Sequence, residues 1–451
     1  MADNSPNGPV DTVSVVGIGK LGAPISACFA HKGYNVIAVD VNPEIVDTIN
    51  DARAPVFEPG LDNLIQANRE RLTATADFDE AVKKSRITFI IVPTPSDPDG
   101  AFTTRYAVDA AGRIGDALRD KSEYHLVVMT STVLPGATCG EVLPVLESRS
   151  GKKCGEDFGL CYNPEFIALG SVIRDVLNPD FVLVGQSDPR AGEMLKAFYE
   201  KLSDNNAPVA LMNIINAEIT KLSVNTFVTT KITFANMVAR ICERLPGADV
   251  DVVTAALGLD ARIGGKYLKG ATGYGGPCFP RDNVALSYLA RKIGAPAFLA
   301  EATDSANRRE VEHLAELVKS KMPDGGQVGI LGLTYKPDTD VVEESQGLLL
   351  AQKLVDDGVK VMAYDPKGMK NAVKAVKGDL DTAESVDECV KKSDAIVIVT
   401  PWKQFEQISP DAFGTDGPRK TVVDCWRLLD SSIYRKIVDY IALGVGGENS
   451  G

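Results

Sequence analysis

The sequence predicts an α/β protein with two parallel-sheet domains, joined by a long central helix and a small helical dimerisation domain. Short β-rich runs alternate with helical stretches up to about residue 204 and again after residue 326, and residues 213–245 contain neither glycine nor proline. Alternating strands and helices are typical of a mostly parallel sheet. We therefore expect three domains, at 1–204, 205–318 and 319–451.

A glycine-rich turn near the start indicates the first domain's ligand. The apolar run Val13–Val16 is followed by Gly17-Ile18-Gly19-Lys20-Leu21-Gly22 and a helix-like stretch, and the next apolar run ends in Asp40. In a Rossmann-like unit these glycines admit a pyrophosphate at the helix N-terminus, and the acid binds the ribose hydroxyls. The pattern predicts NAD, because a carboxylate repels the 2′-phosphate of NADP. An ordinary tight turn is the alternative.

Further strands are predicted at Ile87–Val92, Leu126–Met129 and Phe181–Val184. A single helix is expected over Asn213–Leu245, and its apolar positions are too many for one buried stripe: Ile215, Ile219, Leu222, Phe227, Ile232, Phe234, Met237 and Ile241. A helix that is apolar on more than one face is central or lies at a subunit interface. The sequence therefore predicts a homodimer paired through this region.

The last third of the chain repeats the pattern of the first. After the linker Lys321–Gly326, Val328–Gly332 resembles the first glycine strand, Val361–Asp365 resembles the strand ending in Asp40, and Ala395–Pro401 resembles the third strand with its proline. We interpret this as a second Rossmann-like domain whose phosphate loop has lost a glycine. It is expected to bind another part of a ligand rather than a second dinucleotide.

Composition narrows the possible partners. The formal net charge of −13 argues against nucleic acid or an acidic membrane surface as a partner. No apolar run reaches the length of a membrane span, and the polar first ten residues lack a secretory signal. Eight cysteines without paired spacing favour a reducing compartment, so we expect a cytoplasmic protein. With three histidines in the chain, no metal site is predicted.

Cys278 is the most informative single residue. It lies in Gly273-Tyr274-Gly275-Gly276-Pro277-Cys278-Phe279-Pro280-Arg281-Asp282, where glycines and prolines predict a tight loop that a ligand can approach. Arg281 would stabilise a thiolate, which is the nucleophilic form, and Asp282 could position a proton or a water. The alternative is a small buried hydrophobe, a common role for free cysteine.

Ordered motifs along almost the whole chain carry a family resemblance. They are Gly17–Gly22, Glu58-Pro59-Gly60-Leu61, Pro93-Thr94-Pro95, Ser131-Thr132-Val133 with Pro135-Gly136, Asn163-Pro164-Glu165-Phe166, Glu218-x-x-Lys221-x-x-x-Asn225, the Cys278 loop and Gly332-x-x-Tyr335-Lys336-Pro337. With them the chain resembles the UDP-glucose/GDP-mannose dehydrogenases, which use NAD to oxidise a nucleotide sugar at C6 from alcohol to carboxylate. Its Cys278 loop is nearer the UDP-glucose branch.

The resemblance implies a role for each candidate residue. Cys278 would form a thiohemiacetal and then a thioester, Lys221 and Asn225 would donate to the C6 oxyanion, and Asp282, Thr132 and Glu165 would hold or activate water. The NAD site would comprise Gly17, Gly19, Lys20, Leu21, Gly22, Asp40, Pro93, Thr94, Ser131, Thr132, Glu165 and Cys278. The sugar nucleotide would contact Glu165, Phe166, Lys221, Asn225, Lys269, Tyr274, Gly275, Lys336 and Arg262, the last in the neighbouring subunit's site.

Departures from the family pattern leave the substrate open. Leu169 stands where a second acid is common, Glu343 where an arginine is common, and Pro401 and Trp426 interrupt motifs of the last domain. A nucleotide-diphosphate glucose is predicted, with UDP or dTDP as the nucleotide. GDP-mannose or a UDP-N-acetylhexosamine is the enzymatic alternative. Two other functions fit these residues less well. A two-electron β-hydroxyacid dehydrogenase has no use for Cys278, and a non-catalytic NAD-binding regulator has no use for Cys278, Lys221, Asn225 and Asp282.

Overall fold

A computed structural model describes residues 10–414 and 418–447. It divides into two compact units, the first ending at Ser223 and the second beginning at Val224. In the part of the chain that is described, no helix is both long enough and apolar enough to cross a membrane.

The first unit is built on a sheet of eight strands in the order β3-β2-β1-β4-β5-β6-β7-β8. The strands are β1 Thr12–Val16, β2 Asn35–Val39, β3 Leu72–Thr75, β4 Ile87–Ile90, β5 His125–Met129, β6 Phe158–Tyr162, β7 Val182–Gln186 and β8 Val209–Asn213. All neighbours are parallel except β6 and β7, which pair antiparallel. The order of the first six strands is that of a Rossmann fold, with the switch point between β1 and β4.

Helices cover both faces of this sheet. They are α1 Gly22–His31, α2 Pro43–Asn50, α3 Leu61–Ala67, α4 Phe78–Lys84, α5 Arg105–Arg119, α6 Leu143–Ser150, α7 Val172–Leu177 and α8 Pro189–Leu202. Successive strand residues belong to different buried clusters: Val15 and Phe89 to one, Val16 and Ile90 to the other. Side chains alternate across a strand, so each face has its own apolar core.

The predicted long helix is α9, Ile214–Cys242, which ends three residues earlier than the sequence suggested. Its buried side chains include Leu222, whereas Phe227, Phe234, Met237 and Ile241 are exposed. Three further helices follow: α10 Val250–Gly258, α11 Phe279–Lys292 and α12 Phe298–Lys321.

The second unit contains a six-stranded, wholly parallel sheet in the order β11-β10-β9-β12-β13-β14. Its strands are β9 Gln327–Leu331, β10 Lys360–Tyr364, β11 Asp381–Thr382, β12 Ala395–Ile398, β13 Thr421–Asp424 and β14 Asp439–Ala442. The helices among them are α13 Gln346–Asp356, α14 Met369–Ala375, α15 Val386–Lys392 and α16 Ser431–Tyr434. The strand order again matches a Rossmann fold, so the predicted class of two parallel α/β domains is confirmed.

The second phosphate loop keeps two of the three glycines of the first, in line with the prediction that it has lost one. In the first sheet, a Cβ on Gly22 would collide with the carbonyl oxygen of Gly17, which has φ +94°. In the second sheet, a Cβ on Gly347 would collide in the same way with the carbonyl oxygen of Gly332, which has φ +99°. The outer glycine pair is therefore retained, but residues 333–346 separate its members where only residues 18–21 separate Gly17 from Gly22, so the second loop carries an insertion. An insertion of this length conceals the pair from a search for fixed spacing.

Candidate active site

The glycine turn after β1 has open space at its centre. A Cβ on Gly17 would lie 2.6 Å from the Ile91 carbonyl oxygen, so only glycine fits there. A Cβ on Gly19, in contrast, would meet no other described atom within 4 Å. Lys20 is exposed, and Leu21 precedes α1 without a side-chain hydrogen bond that caps the helix. The turn thus presents uncapped N–H groups of a helix N-terminus beside open space, which suits a phosphate.

Asp40 lies at the carboxyl end of β2 and is half-buried. One carboxylate oxygen accepts a hydrogen bond from the Ile18 backbone N–H at 2.8 Å, and the other accepts from Asn42 N–H at 2.9 Å. These two bonds fix the carboxylate beside the glycine turn. Each oxygen retains a lone pair for a further donor such as a ribose hydroxyl.

The loops that follow β4 and β5 are tied to each other. The Thr94 hydroxyl donates to the Thr132 carbonyl at 2.7 Å, and the Ser131 hydroxyl donates to the Val92 carbonyl at 2.6 Å. Thr94 and Ser131 are buried, whereas Pro93 is exposed. Both loops lie at the carboxyl edge of the sheet, next to the switch point, where ligands of open α/β sheets bind.

Glu165 is placed by a residue that the sequence did not single out. The Tyr199 hydroxyl lies 3.0 Å from Glu165 Oε1 and 2.5 Å from Asn163 Oδ1. A phenol has one hydrogen for two acceptors, so a protonated Glu165 fits this arrangement. Burial raises the pKa of Glu165 to about 7, although Tyr199 and the Lys221 charge act in the opposite direction. A carboxyl group with such a pKa can gain or lose a proton near neutral pH.

Lys221 is fixed by the loop that carries Glu165. Its Nζ donates to the Glu165 carbonyl oxygen at 2.7 Å and lies 4.5 Å from the centroid of the Phe166 ring. The side chain is 6% exposed, so the ammonium group is largely withdrawn from water. The hydrogen bond and the ring contact together orient the ammonium group.

The Glu165 environment gives a pH-dependent stability. Because the pKa of Glu165 is raised in the folded protein, protonation of this side chain favours the folded state. The contribution to stability is fully present below the ordinary pKa of 4.5 and is lost as the pH rises through about 7. Glu165→Gln copies the protonated side chain. We expect the unfolding free energy of the wild type to fall relative to Glu165→Gln by about 1–3 kcal/mol between about pH 5 and about pH 8. Urea unfolding of both proteins at each pH measures the gap, and a constant gap would contradict the expectation.

In the second unit, Cys278 is the N-cap residue of α11 and is exposed. Five of the eight cysteines are buried, Cys154 is half-buried, and Cys139 is the other exposed one. The positive end of a helix stabilises a negative charge, so this position favours the thiolate over the thiol. The prediction of an accessible thiol, rather than a buried hydrophobe, is therefore confirmed.

Asp282, one turn into α11, is 1% exposed. Its Oδ2 accepts a hydrogen bond from the Asn225 side-chain amide at 2.6 Å, and Arg281 Nε lies 3.6 Å from Oδ1. Oδ1 accepts no hydrogen bond from the residues that the structure describes. A buried carboxylate oxygen in this state can accept a proton or a water hydrogen bond.

The glycines of the Cys278 loop allow another part of the protein to approach closely. A Cβ on Gly276, φ +84°, would lie 2.6 Å from the Tyr335 ring, and a Cβ on Gly275 would collide with the Glu344 carbonyl oxygen. Gly276 N–H also donates to the Glu343 carbonyl at 3.1 Å. The close neighbour that requires glycine is therefore the inserted segment 333–346 of the second sheet.

The remaining predicted substrate residues differ in exposure. Lys269 is exposed and Lys336 half-buried. The Arg262 side chain is 88% exposed and pairs with Asp260 at 2.5 Å. Tyr274 is buried, and its hydroxyl accepts a hydrogen bond from the Asn283 amide at 2.9 Å. Their contacts with a sugar nucleotide stay a prediction.

Comparisons with known proteins agree along the whole chain. Three models of the UDP-glucose/GDP-mannose dehydrogenase family match: its NAD binding domain over residues 11–203, its central domain over 215–309 and its UDP binding domain over 329–431. The chain belongs to this family. The members are nucleotide-sugar 6-dehydrogenases, and both UDP-glucose and GDP-mannose enzymes are among the chain's relatives.

Individual relatives cover nearly the full length. The UDP-glucose 6-dehydrogenase AglM of Haloferax volcanii is 37% identical over 91% of this chain and 95% of its own. The GDP-mannose 6-dehydrogenase of Pseudomonas putida is 33% identical over 89% and 93%. The solved structure of a UDP-glucose dehydrogenase from Pyrobaculum islandicum matches with a TM-score of 0.87 at 33% identity, over 97% of this chain and 98% of that one.

The NAD expected from the family fits the first unit. The open space at Gly19, the uncapped start of α1 and the spare lone pairs of Asp40 match a pyrophosphate and a ribose respectively. The equivalent acid of the second sheet, Asp365, is used differently. It is 3% exposed and accepts hydrogen bonds from the backbone N–H groups of Leu333, Thr334, Lys367 and Gly368, from the Thr334 hydroxyl and from the Trp402 indole. No lone pair remains there for a ribose.

Two carboxylates that the motifs contained, but to which no role was assigned, support the site. Glu218 is fully buried and accepts from the backbone N–H groups of Gly136 at 2.6 Å and Thr138 at 2.9 Å. Glu58 accepts from Gly170 and Val172 N–H, both at 2.8 Å. They anchor the loop after β5 and the segment beyond Glu165. A carboxylate that bonds two backbone amides is recognisable only once the fold brings the segments together.

Two of the side chains that depart from the family pattern pack against the apolar cores of the sheets. Trp426 is half-buried against the apolar core of that sheet, and its indole N–H donates to the Val399 carbonyl at 2.7 Å. Leu169, which replaces a common acid, packs against the core of the first sheet. Both side chains thus contribute to the apolar cores.

Proposed function

We propose that the protein oxidises a nucleotide-diphosphate glucose to the corresponding glucuronate, with NAD as the oxidant and Cys278 as the nucleophile. The observation that carries the proposal is the accessible thiol at the start of α11, with the buried Asp282 one turn further on and hydrogen-bonded to Asn225. A two-electron alcohol dehydrogenase needs no such thiol, whereas oxidation of an aldehyde to an acid does.

NAD, when bound by the first unit, would supply the hydride acceptor, and two NAD⁺ are needed in turn because each takes up one hydride. After the first, the C6 alcohol has lost a hydride and a proton and is an aldehyde. The Cys278 thiolate then adds to the carbonyl carbon, so a C–S bond forms and the oxygen carries the charge. Loss of the second hydride re-forms the C=O bond and gives a thioester. Tethering at this point also retains the aldehyde between the two oxidations.

Lys221 and Asn225 lie one turn apart on α9, and both are buried. We propose that the Lys221 ammonium group and the Asn225 amide donate to the C6 oxygen as it gains negative charge. The Lys221 bond to the Glu165 carbonyl and the Asn225 bond to Asp282 hold both side chains in place. Donors that are already oriented stabilise an oxyanion without a cost of reorganisation.

Hydrolysis of the thioester completes the reaction. Water adds to the carbonyl carbon, the thiolate leaves, and the acid is released. Asp282 Oδ1, buried and without a hydrogen bond from the described residues, is suited to accept the proton of that water. Glu165, with a pKa of about 7, is the second candidate for proton transfer, and Thr132 is proposed to hold the water.

UDP-glucose is the proposed substrate, with dTDP-glucose as the close contender. The third domain matches a UDP binding model, and a UDP-glucose enzyme is 37% identical over nearly the whole chain. GDP-mannose is the second candidate, because a GDP-mannose enzyme is 33% identical over similar lengths.

The direct test is the number of NADH molecules released per sugar. With limiting UDP-glucose and excess NAD, we expect two NADH for each sugar consumed and no free aldehyde trapped by hydroxylamine, because the thioester route transfers two hydrides. Absorbance at the nicotinamide band counts NADH, and mass spectrometry counts the acid. A reproducible ratio of one would remove the thioester mechanism.

The same assay with other sugar nucleotides fixes the substrate. Uracil and thymine differ by one methyl group, so kcat/KM for dTDP-glucose should lie within about 10–200-fold of that for UDP-glucose. GDP-mannose should be rejected more strongly, because a purine is much larger. A higher kcat/KM for GDP-mannose would select the second candidate.

We also propose that two chains pair through the helical region. Phe227, Phe234, Met237 and Ile241 of α9 are each at least 45% exposed, which leaves a contiguous apolar surface of the kind that subunit interfaces cover. The exposed Arg262 would then reach the neighbouring subunit's sugar nucleotide.

Mixing two inactive variants tests this sharing. An Arg262→Ala chain retains Cys278, and a Cys278→Ala chain retains Arg262, so a mixed dimer has one complete site. Random pairing makes half of the dimers mixed, so activity should recover to roughly a quarter of the wild-type value. Recovery is measured as NADH production after joint refolding, with native mass spectrometry to count mixed dimers. No recovery at a confirmed mixed population would reject the sharing of Arg262.

A further inference from the structure

The backbone N–H and carbonyl groups of Tyr274, four residues before Cys278, are held by two buried side-chain amides. Asn307 Oδ1 accepts from the Tyr274 N–H at 2.8 Å, and Asn307 Nδ2 donates to the Tyr274 carbonyl at 3.0 Å. Gln346 Nε2 donates to the same carbonyl, also at 3.0 Å. Asn307 is 6% exposed and Gln346 7%. The orientation of Asn307 is fixed, because a flipped amide would set donor against donor and acceptor against acceptor.

Glycine at position 273 is what admits both amides. A Cβ there would lie 2.5 Å from Asn307 Oδ1 and 2.8 Å from Gln346 Oε1. The two amides therefore occupy the space that any other residue at position 273 would need.

The side chain of Tyr274 is anchored as well. Its hydroxyl accepts from the Asn283 amide at 2.9 Å, and Asn283 lies on α11, whose N-cap is Cys278. Gly275 and Gly276, which follow, have little conformational preference of their own, and Gly276 is held in turn by its hydrogen bond to the Glu343 carbonyl. The path of the chain into Cys278 therefore depends on where the Tyr274 backbone is held as well as on that bond.

We propose that Asn307 and Gln346 are positioning residues for the Cys278 thiol, an inference that rests on the proposed role of Cys278 as nucleophile. Asn307 belongs to α12, whereas Gln346 is the first residue of α13 and ends the segment inserted in the second sheet's glycine loop. Because that sheet lies within the match to the UDP binding domain, Gln346 links the domain that recognises the nucleotide to the loop that carries the thiol.

The test replaces Gln346 with methionine, which keeps the length of the side chain and removes its N–H donor. The Tyr274 carbonyl keeps its bond from Asn307, so the fold should persist. Gln352→Met is the matched control, since Gln352 lies on the same helix and its amide bonds Asp356 and the backbone N–H and carbonyl groups of Lys377 at the surface. All proteins carry Cys139→Ser, so that among the described residues Cys278 is the only exposed cysteine.

Turnover, UDP affinity and alkylation by iodoacetamide are measured on each protein. For Gln346→Met we expect kcat to fall about 10–100-fold, in line with the cost of small misplacements, while KM and the dissociation constant for UDP change less than about threefold. Alkylation of Cys278 should slow at least about threefold, because a displaced sulfur loses the stabilising end of the helix. Gln352→Met should match the parent protein in every measurement.

The outcomes separate the two proposals. If alkylation of the parent at Cys278 leaves turnover intact, the proposed function falls. If alkylation inactivates the parent but Gln346→Met keeps the parent's kcat and alkylation rate, the positioning role falls and the function stands. Equal losses in Gln346→Met and Gln352→Met would also overturn it, because α13 would then act only through stability. Should Gln346→Met fail to fold, Asn307→Asp applies the same measurements to the other amide, and unchanged kcat there would refute the proposal.

Discussion

Replacement of Cys278 by alanine is expected to abolish formation of the sugar acid and to leave NAD affinity unchanged. The thiol is the group to which the aldehyde carbon would be bound, so its loss stops the second oxidation, by about 10⁴-fold or more in kcat if it behaves as other covalent nucleophiles do. The first oxidation does not use the thiol, so the remaining activity is expected to be a slow release of aldehyde with one NADH per sugar. Gly17, Gly19 and Asp40 are unaltered, and NAD binding, measured by calorimetry, should persist.

Cys139→Ala is the matched control. Cys139 is the other exposed cysteine, but burial and the Glu218 charge raise the pKa of its thiol, so it is a poorer nucleophile. Its loss should leave turnover intact. Cys278→Ser should form an ester that hydrolyses slowly, seen as a burst of NADH that is followed by a low steady rate. Turnover close to the wild-type value in Cys278→Ala would mean that the loop is structural.

The second large effect is expected at Lys221. Lys221→Ala removes the proposed ammonium donor from the C6 oxygen, and the loss of one oxyanion donor typically lowers kcat by about 10²–10³-fold. KM should change little, because the charge on that oxygen develops only during the reaction. Steady-state kinetics with UDP-glucose measures both quantities. A fall in kcat of less than about tenfold would assign Lys221 to the stability of the Glu165 loop instead.

Lys201→Ala provides the comparison for packing effects. Lys201 Nζ lies 4.0 Å from the centroid of the Tyr34 ring, much as Lys221 lies over Phe166, but it is exposed and has no role in the proposed mechanism. The two variants lose the same kind of cation–π contact. If both reduced kcat equally, the ring contact rather than the donor would be the cause.

Local sequence patterns predicted the fold because local chemistry determines it. Alternating strands and helices, the glycine turn with Asp40 and the uninterrupted apolar helix each depend on residues within one element. The two parallel sheets were expected from two repeats of a single pattern. The pairing of Gly347 with Gly332 was missed because it is not local: the two glycines meet in space but are separated along the chain by residues 333–346.

The supporting contacts of the site could not be predicted in this way. Tyr199 reaches Glu165, and Gln346 reaches Tyr274, from distant parts of the chain, and neither residue type is diagnostic of such a role. The glycines of the Cys278 loop were correctly expected to allow a close approach. What approaches, however, is protein, and only the packing of residues 333–346 shows this.

The hydrogen bonds that Asp365 already accepts limit how the second domain could be engineered to bind a dinucleotide. Shortening the loop between Gly332 and Gly347 would restore the outline of a dinucleotide turn, but the acid beside it already fastens two backbone segments and an indole together. Freeing it for a sugar hydroxyl would leave several buried donors without acceptors, at about 1–3 kcal/mol each. Because this acid already holds the surrounding backbone in place, the second domain could not gain a dinucleotide site by a single substitution.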